Sequence, residues 1–349
     1  MMPRAFAPVL FCSFAALLAI HPAAAAPVSL ANKTVHLAIA QDDDAAIYAR
    51  TLAPYLAKAL PGQPAVVVDA AAGRDARAAL DVFVATAKSD GTTVLIDNTR
   101  PFNPLARDLQ TALAEGATLV PIGGNASPGT ALVVAVRAFD RLYDEQQPPV
   151  IVGGRNPPSP GAETALWGKA YLYWNVRWAL AQANTDTLAK ALDSGTIDMA
   201  ALSNADTAQR LVASDRFQIL CQSGMLQNGA IDLRPEFLGP LFGDLIANEI
   251  TDETQNQAYD YWRTVSALGI VAALPQKTPS PIADAFKAAF ATATDNPEFQ
   301  AKFTIAGGLP TAQSAVSVAK MLTALVQSPP RARAAIRDMA AKQGLAAGG

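Results

Sequence analysis

Residues 38–50 read Ala-Ile-Ala-Gln-Asp-Asp-Asp-Ala-Ala-Ile-Tyr-Ala-Arg, and this stretch decides the fold. The apolar run 35–40 is typical of a buried strand, and apolar residues recur at helical spacing over 45–59. A turn with three consecutive aspartates separates the two segments. In an open α/β sheet, such a junction lies at the carboxyl end of a strand, where ligands usually bind. The stretch therefore predicts a strand, an acidic ligand-facing loop and a helix.

The same alternation continues along the chain. Residues 65–68 are apolar throughout, as in a parallel strand buried on both faces. A helical segment at 77–87 leads to a third strand at 92–96. The order β-α-β-α-β implies right-handed crossovers and a doubly wound sheet. The predicted fold class is therefore α/β.

Two later strands are predicted to carry the chain between two lobes. Residues 131–136 lead out of the first sheet, and residues 267–274 return to it. We therefore predict two crossover strands with a cleft between the lobes. The first lobe is discontinuous, with residues 27–130 and 266–349, and the second comprises residues 131–265.

The first 26 residues have the features of a secretory signal peptide. Arg4 precedes an apolar segment at 9–20, and residues 23–26 are all alanine, as a cleavage site requires. The apolar segment is too short to cross a bilayer, and an uncleaved N-terminal anchor is the alternative. We expect residues 1–26 to be removed on export to the periplasm.

Composition argues against several classes of protein. The 349-residue chain has a net charge of −3 and no basic cluster, so nucleic acid is not expected as a partner. Only one of its two histidines, His36, and one of its two cysteines, Cys221, lie beyond the predicted signal peptide. Such a set does not make a Cys/His zinc site and makes Ser-His-Asp or Cys-His catalysis improbable. We therefore expect no enzyme activity, no cofactor and no metal, with His36 in a strand and Cys221 in the core.

The C-terminal part resembles a known family. Residues 278–286 and 295–302 are similar to the closing helices of the tripartite tricarboxylate transporter receptors, also called the Bug family. Residues 48–50, 61–68 and 89–92 resemble that family's first helix, its second strand and the turn before its third strand. The resemblance covers nearly all of the chain beyond the signal peptide and is weakest in the middle third.

This resemblance implies a periplasmic binding protein of the type II, Venus-flytrap kind, whose two lobes close on a ligand. It implies a small carboxylate or similar metabolite as ligand and a membrane permease with one large and one small subunit as partner. In the family, backbone N–H groups of a glycine-rich loop after the first strand hold the ligand carboxylate, often through water.

The sequence departs from the family at this loop. Asp42, Asp43 and Asp44 occupy the glycine positions. Ala46 replaces the family's aspartate, and the second glycine loop keeps only Gly73. A ligand carboxylate about 5 Å from one such aspartate would be destabilised by roughly 3 kcal/mol at an effective dielectric of about 20. The departure favours a neutral or cationic ligand, with a Ca²⁺-like ion as a rarer alternative. The simpler interpretation is that the acids cap a helix and complement its dipole.

The candidate ligand residues lie in or beside loops at predicted strand ends. They are Asp42, Asp43, Asp44, Tyr48, Gly73, Arg74, Asn98, Thr99, Arg100, Arg155, Asn156, Thr185 and Asp186. An arginine among them can hold a carboxylate with two parallel hydrogen bonds. The alternative is that Arg74 or Arg100 forms a structural ion pair with the aspartates. Similarly, Asn184-Thr185-Asp186 is also an ordinary N-terminal cap of a helix.

Four aromatic residues are spaced as on one face of a helix predicted at 163–183. They are Trp167, Tyr171, Trp174 and Trp178. A core-facing stripe and a cage for an organic cation both fit this spacing.

Two functions follow from these features. The first is a periplasmic receptor that captures a small metabolite for a permease through an atypical acidic loop. The alternative is a non-transporting sensor or interaction protein that kept the fold and lost the ligand site.

Overall fold

The computed structural model describes residues 28–39, 44–70, 76–99, 102–105, 109–155, 158–181, 184–227 and 229–345. The predicted signal peptide lies outside these ranges, as do six candidate ligand residues: Asp42, Asp43, Gly73, Arg74, Arg100 and Asn156. Within the described ranges, no helix is both long enough and apolar enough to cross a membrane.

The strands of the described residues are β1 (Thr34–Ile39), β2 (Ala65–Ala70), β3 (Thr93–Asn98), β4 (Leu119–Ala126), β5 (Ala131–Ala135), β6 (Val150–Gly153), β7 (Val176–Ala179), β8 (Met199–Leu202), β9 (Phe217–Gln222), β10 (Met225–Gln227), β11 (Ala230–Asp232), β12 (Leu268–Pro275) and β13 (Ala312–Ser314).

The helices are α1 (Asp44–Ala59), α2 (Ala76–Thr86), α3 (Leu109–Gly116), α4 (Pro160–Tyr171), α5 (Thr185–Asp193), α6 (Ala205–Val212), α7 (Phe242–Ile246), α8 (Glu253–Ala267), α9 (Ser280–Thr294), α10 (Pro297–Ile305), α11 (Ala315–Gln327) and α12 (Pro330–Lys342).

Two mixed sheets organise these elements. The first has the strand order β13-β4-β12-β3-β1-β2, and the second has the order β7-β6-β8-β5-β9. In the first, β1 is parallel to β2 and β3, whereas β12 is antiparallel to β3 and β4. In the second, β6 is parallel to β7 and β8, whereas β5 is antiparallel to β8 and β9. The predicted α/β class is confirmed. The exact lobe boundaries stay predictions.

Burial explains why residues 34–59 form a strand and a helix. In β1, Val35, Leu37 and Ile39 are buried, whereas the intervening side chains are partly exposed. Helix α1 buries Leu52 and Leu56 in the same apolar cluster. Removing one such side chain from water stabilises the fold by roughly 1.5–3 kcal/mol. The apolar spacing thus places the acidic turn at the carboxyl end of β1.

The predicted aromatic helix at 163–183 is correct only as far as Tyr171. Helix α4 ends at Tyr171, and β7 begins at Val176, parallel to β6. The backbone breaks at Tyr173, whose φ of 55° is left-handed. Aromatic and β-branched residues favour strands, and this preference overrides the helical spacing here. Trp178 therefore lies in a strand, and the four aromatic residues do not share a helix face.

Two further helices have no counterpart in the elements predicted from the sequence. Residues 330–342 form α12, which buries Ile336 and Ala340. Residues 253–267, not assigned from sequence, form α8 and lead into β12. These helices pack against each other. Their apolar residues are too sparse among charged ones to stand out in the sequence.

Candidate functional site

The register places the ends of several strands of the first sheet at one edge. Strands β1 and β3 are parallel, so their carboxyl ends meet there. Antiparallel β12 begins at that edge, since Ile270 pairs with Asn98, and β4 ends there, since Ala126 pairs with Leu268. This edge carries Ile39 at the end of β1, which precedes the acidic segment in the sequence, and Asn98 at the end of β3.

The second sheet has a corresponding edge. Strands β6 and β8 are parallel and end there. Ala131 at the start of β5 pairs with Leu202 at the end of β8 and with Gln222 at the end of β9. The loop that carries Arg155 leaves this edge, and so does the segment that links β4 to β5. Two segments join the two sheets: the one between β4 and β5, and the one that leads from α8 into β12. These crossing segments run between the edges where the candidate loops begin.

The crossing segments are bonded to each other. The backbone N–H of Ser127 donates to the carbonyl oxygen of Ala267 at 2.8 Å. A Cβ at Gly269 would lie 2.9 Å from the Ser127 nitrogen, so only glycine allows this approach. The buried hydroxyl of Thr99 contacts the carbonyl oxygens of Val265 (3.1 Å) and Leu268 (2.7 Å). Thr99, a candidate ligand residue, thus anchors the returning segment.

Asp97 is a residue of this edge that the sequence reasoning missed. It lies near the end of β3, is 3% exposed, and accepts a hydrogen bond from the backbone N–H of Asn98 at 2.7 Å. Asp44, the first residue of α1, is exposed. The sequence feature that could have identified Asp97 is an acid at the end of a predicted strand, next to Asn98 and Thr99. The described part of this edge therefore carries two acidic side chains, Asp44 and Asp97.

Tyr48 lies away from solvent. Its side chain is fully buried, and its ring lies 5.7 Å from that of Phe299 and 5.2 Å from that of Phe303. Burial raises the pKa of its hydroxyl. That oxygen has no hydrogen-bond partner among the described residues. The ring contributes to the core, and a ligand contact through it stays a prediction.

Thr185 and Asp186 begin α5, where Thr185 is half-buried and Asp186 is exposed. Asn184 caps this helix, because its side-chain oxygen accepts from the N–H of Thr187 at 3.0 Å. The Thr187 hydroxyl oxygen accepts in return from the N–H of Asn184 at 3.1 Å. The predicted cap is confirmed, and the ligand role of the two neighbours stays a prediction.

Arg234 is a buried cation at the edge of the second sheet that sequence reasoning also missed. Its Nη1 donates to the carbonyl oxygens of Pro128 (3.0 Å) and Ser203 (2.9 Å). Phe237 lies 4.6 Å from its guanidinium, and a carboxylate oxygen of Glu236 lies 3.4 Å from its Nε. Nothing in the mixed apolar and charged segment around residue 234 distinguishes this arginine from a surface residue.

Glu163 is the buried acid of this region, in the first turn of α4 and only 1% exposed. It accepts hydrogen bonds from Asn103 and Trp262, each at 2.8 Å. Burial raises its pKa to about 7, although these bonds and the Arg155 cation act in the opposite direction. Arg155, a candidate ligand residue, is half-buried in the loop before α4.

The residues most suited to catalysis lie elsewhere. His36 in β1 is half-exposed, and its Nδ1 lies 2.5 Å from a carboxylate oxygen of Asp69 in β2. Cys221 is fully buried in the core, and burial raises the pKa of its thiol. Among the described residues, no group of three His, Cys, Asp or Glu side chains is arranged to hold a metal ion. The two edges instead present polar side chains of both signs, which suits binding of a small polar molecule.

No protein-family model matches the sequence, and no curated protein sequence matches it. Solved structures do match. A TctC solute-binding protein from Polaromonas aligns over 89% of this chain and 98% of its own length, with a TM-score of 0.65 and 14% identity. The chain has the fold of the TctC solute-binding proteins.

Two ligand-bound proteins have the same TctC-like fold. R. palustris Rpa4515 with adipate aligns over 89% of this chain and 97% of its own, with a TM-score of 0.57 and 16% identity. MatC from Rhodopseudomonas palustris with bound malate aligns over 88% and 99%, with a TM-score of 0.54 and 14% identity. The two-lobe fold expected from the family resemblance is confirmed.

Proposed function

We propose that this chain is a periplasmic solute-binding receptor, without enzyme activity, that captures a small metabolite between its two lobes. The observation that carries the proposal is the TctC-like fold, matched over 98% of the length of a solute-binding protein. The two crossing segments, which join the candidate loops of both sheets, support it. The same proposal makes a membrane permease with one large and one small subunit its partner, and residues 1–26 its cleaved signal peptide.

The ligand is proposed to carry no net negative charge. Rpa4515 and MatC are bound to dicarboxylates. In this chain aspartates occupy the glycine positions of the family loop, and Asp97 lies near the end of the neighbouring strand β3. Because like charges in a partly desolvated site repel by several kcal/mol, a dianion is disfavoured here. Arg155 and Arg234, at the other edge, are already close to Glu163 and Glu236.

A charge series of constant length tests this proposal. Adipate, adipamide and 1,6-diaminohexane share a six-carbon chain and carry charges of −2, 0 and +2. A ligand at a hundred times its Kd stabilises the folded state by about 2.7 kcal/mol, so thermal-shift measurements on residues 27–349 detect binding as a rise in Tm. We expect stabilisation by the neutral or the cationic compound and none by adipate. Tight binding of adipate would contradict the charge argument.

The receptor proposal itself has a broader test. Thermal-shift measurements with carboxylates, amino acids, amines and divalent ions should reveal a stabilising class, and native mass spectrometry should reveal a metabolite that co-purifies. If no class stabilises the protein and no metabolite co-purifies, the receptor proposal fails.

The second candidate function is a sensor or interaction protein that no longer binds a solute. The loss of the loop glycines favours it, because Asp42–Asp44 cannot present the backbone as closely as glycine can. A periplasmic protein captured by the ligand-free receptor would support this function. A metabolite bound in the purified protein would exclude it.

A further inference from the structure

Glu163 lies where four segments of the chain meet. Its neighbours are Asn103 in the loop between β3 and α3, Trp262 in α8, and Arg155 in the loop between β6 and α4. Glu163 itself is in α4. We call these four residues the Glu163 junction. It connects the loop after a strand of the first sheet to elements around the second.

The geometry of the junction requires a carboxylate. The Nδ2–H of Asn103 donates to Oε1 of Glu163, and the Nε1–H of Trp262 donates to Oε2, both at 2.8 Å. A 180° rotation of the Asn103 amide would break a hydrogen bond, because its Oδ1 accepts from the backbone N–H of Leu105 at 2.8 Å. Both partners are therefore fixed donors, and an ionised carboxylate supplies an acceptor to each.

The junction is adjacent to both sets of candidate ligand residues. Asn103 lies in the same loop as Thr99 and Arg100, shortly after Asn98 at the end of β3, and Glu163 is in the first turn of the helix that follows the loop of Arg155. A further hydrogen bond joins the same loop to α8: the Tyr261 hydroxyl donates to the Phe102 carbonyl oxygen at 2.7 Å. A substitution at Glu163 is therefore expected to alter the positions of both loops.

We propose that Glu163 is a positioning residue, whose carboxylate holds the β3–α3 loop against α4 and α8 and so fixes the two candidate ligand loops relative to each other. The effect of Glu163 on ligand binding rests on the proposed function, whereas its effect on the position of the β3–α3 loop is independent of that function.

Proton uptake should weaken the junction. With Glu163 protonated, one of its oxygens becomes a hydroxyl, which is a weaker acceptor, and both hydrogen bonds lose the assistance of the negative charge. The raised pKa of about 7 places this change near neutral pH, with the junction complete above pH 7 and weakened below it.

The two tyrosines of α8 near Trp262 do not titrate in that range. Burial raises the pKa of Tyr259 to about 12 and raises that of Tyr261 on the same helix. Asp244 of α7 acts on Tyr259, and Arg333 of α12 acts on Tyr261. The cation that acts on Glu163 itself is Arg155.

An exchange of the two side-chain types tests the proposal. Glu163→Gln directs an amide N–H at one of the two donors, and Asn103→Asp places two carboxylates together. In the double variant the new amide donates to the new carboxylate, its carbonyl oxygen accepts from Trp262, and the remaining carboxylate oxygen accepts from Leu105. All the hydrogen bonds are restored with one negative charge. Glu253→Gln, at an exposed glutamate of α8, is the matched control.

The first readouts need no ligand. We expect hydrogen exchange at the Leu105 amide to rise at least tenfold in each single variant and to return to within twofold of wild type in the double variant. The indole N–H resonance of Trp262 should shift with a midpoint near pH 7 in the wild type and not in Glu163→Gln. Unchanged exchange in Glu163→Gln, or no recovery in the double variant, would overturn the proposal.

The ligand readout uses adipamide and 1,6-diaminohexane. Affinity should fall about tenfold in Glu163→Gln and recover in the double variant, and wild-type affinity should fall between pH 8 and pH 6. Wild-type affinity that is unaffected by Glu163→Gln would overturn the positioning role. If neither compound binds the wild type, the proposed ligand class fails, and the exchange and resonance results alone decide the role of Glu163.

Discussion

Raising the pH from 5 to 8 is expected to destabilise the fold through Glu163. In an unfolded chain this carboxyl group ionises near pH 4.5, whereas burial raises its pKa in the folded protein to about 7. Between these values, the folded state holds a proton that the unfolded state has released. The free energy of unfolding therefore falls as the pH rises. The contribution is complete below about pH 4.5 and is lost as the pH passes through about 7.

The size of this effect follows from the two pKa values. One pH unit corresponds to 1.36 kcal/mol, so the whole change is on the order of 3 kcal/mol. The hydrogen bonds from Asn103 and Trp262 and the charge of Arg155 already reduce it, because they favour the ionised form. Ionisation of the buried Glu163 near neutral pH therefore lowers the free energy of unfolding of the protein.

The assay compares wild type with Glu163→Gln in urea unfolding at pH 5, 6, 7 and 8. Other titrating groups, such as Asp90, contribute equally to both proteins and cancel in the difference. The difference should move in favour of the glutamine variant by about 3 kcal/mol from pH 5 to pH 8. Glu253→Gln should show no such trend. A difference that does not vary with pH would refute the reasoning, because it would mean that burial does not raise the pKa of Glu163.

Four further variants test how other buried groups contribute. Gly168→Ala should destabilise the fold by about 1–3 kcal/mol or more, because the new Cβ would lie 2.0 Å from the Trp174 ring; a wild-type Tm would contradict this packing. Tyr48→Phe should leave Tm unchanged or raise it, since its buried hydroxyl has no partner among the described residues, whereas Tyr261→Phe should cost about 1–3 kcal/mol. Equal losses in the two tyrosine variants would argue against these assignments. Arg234→Met should cost about 2–4 kcal/mol in urea unfolding, because two carbonyl oxygens lose a charged donor, and a loss below about 0.5 kcal/mol would show that these bonds contribute little.

Local patterns in the sequence predicted the first sheet well. Residues 65–68 and 92–96 are continuous apolar runs, and they form β2 and β3. The cap at Asn184 was predictable because its partner lies three residues away. The predicted aromatic helix failed beyond Tyr171 because Trp174 and Trp178 satisfy helical spacing by coincidence, while packing against β6 decides the structure from residue 176 onward.

The buried polar residues of the candidate site could not be predicted in the same way. The partners of Glu163 lie 60 and 99 residues away in the chain, and Arg234 bonds to Pro128 across 106 residues. No periodicity connects such positions. A single acid after a proline and a glycine is also an ordinary residue for the first turn of a helix. These roles become visible only after the chain has folded.

The same long-range packing bears on the proposed closure of the two lobes. Phe102 and Leu113 come from segments next to the first sheet, yet they belong to one hydrophobic cluster with Val133 and Leu166 around the second. Lobes joined only by polar contacts are expected to move freely, whereas a large apolar contact restricts motion. This cluster and the Glu163 junction hold the β3–α3 loop on the side of the second sheet. Closure on a ligand is therefore expected to leave this loop in place and to act through the crossing segments around Ser127 and the beginning of β12.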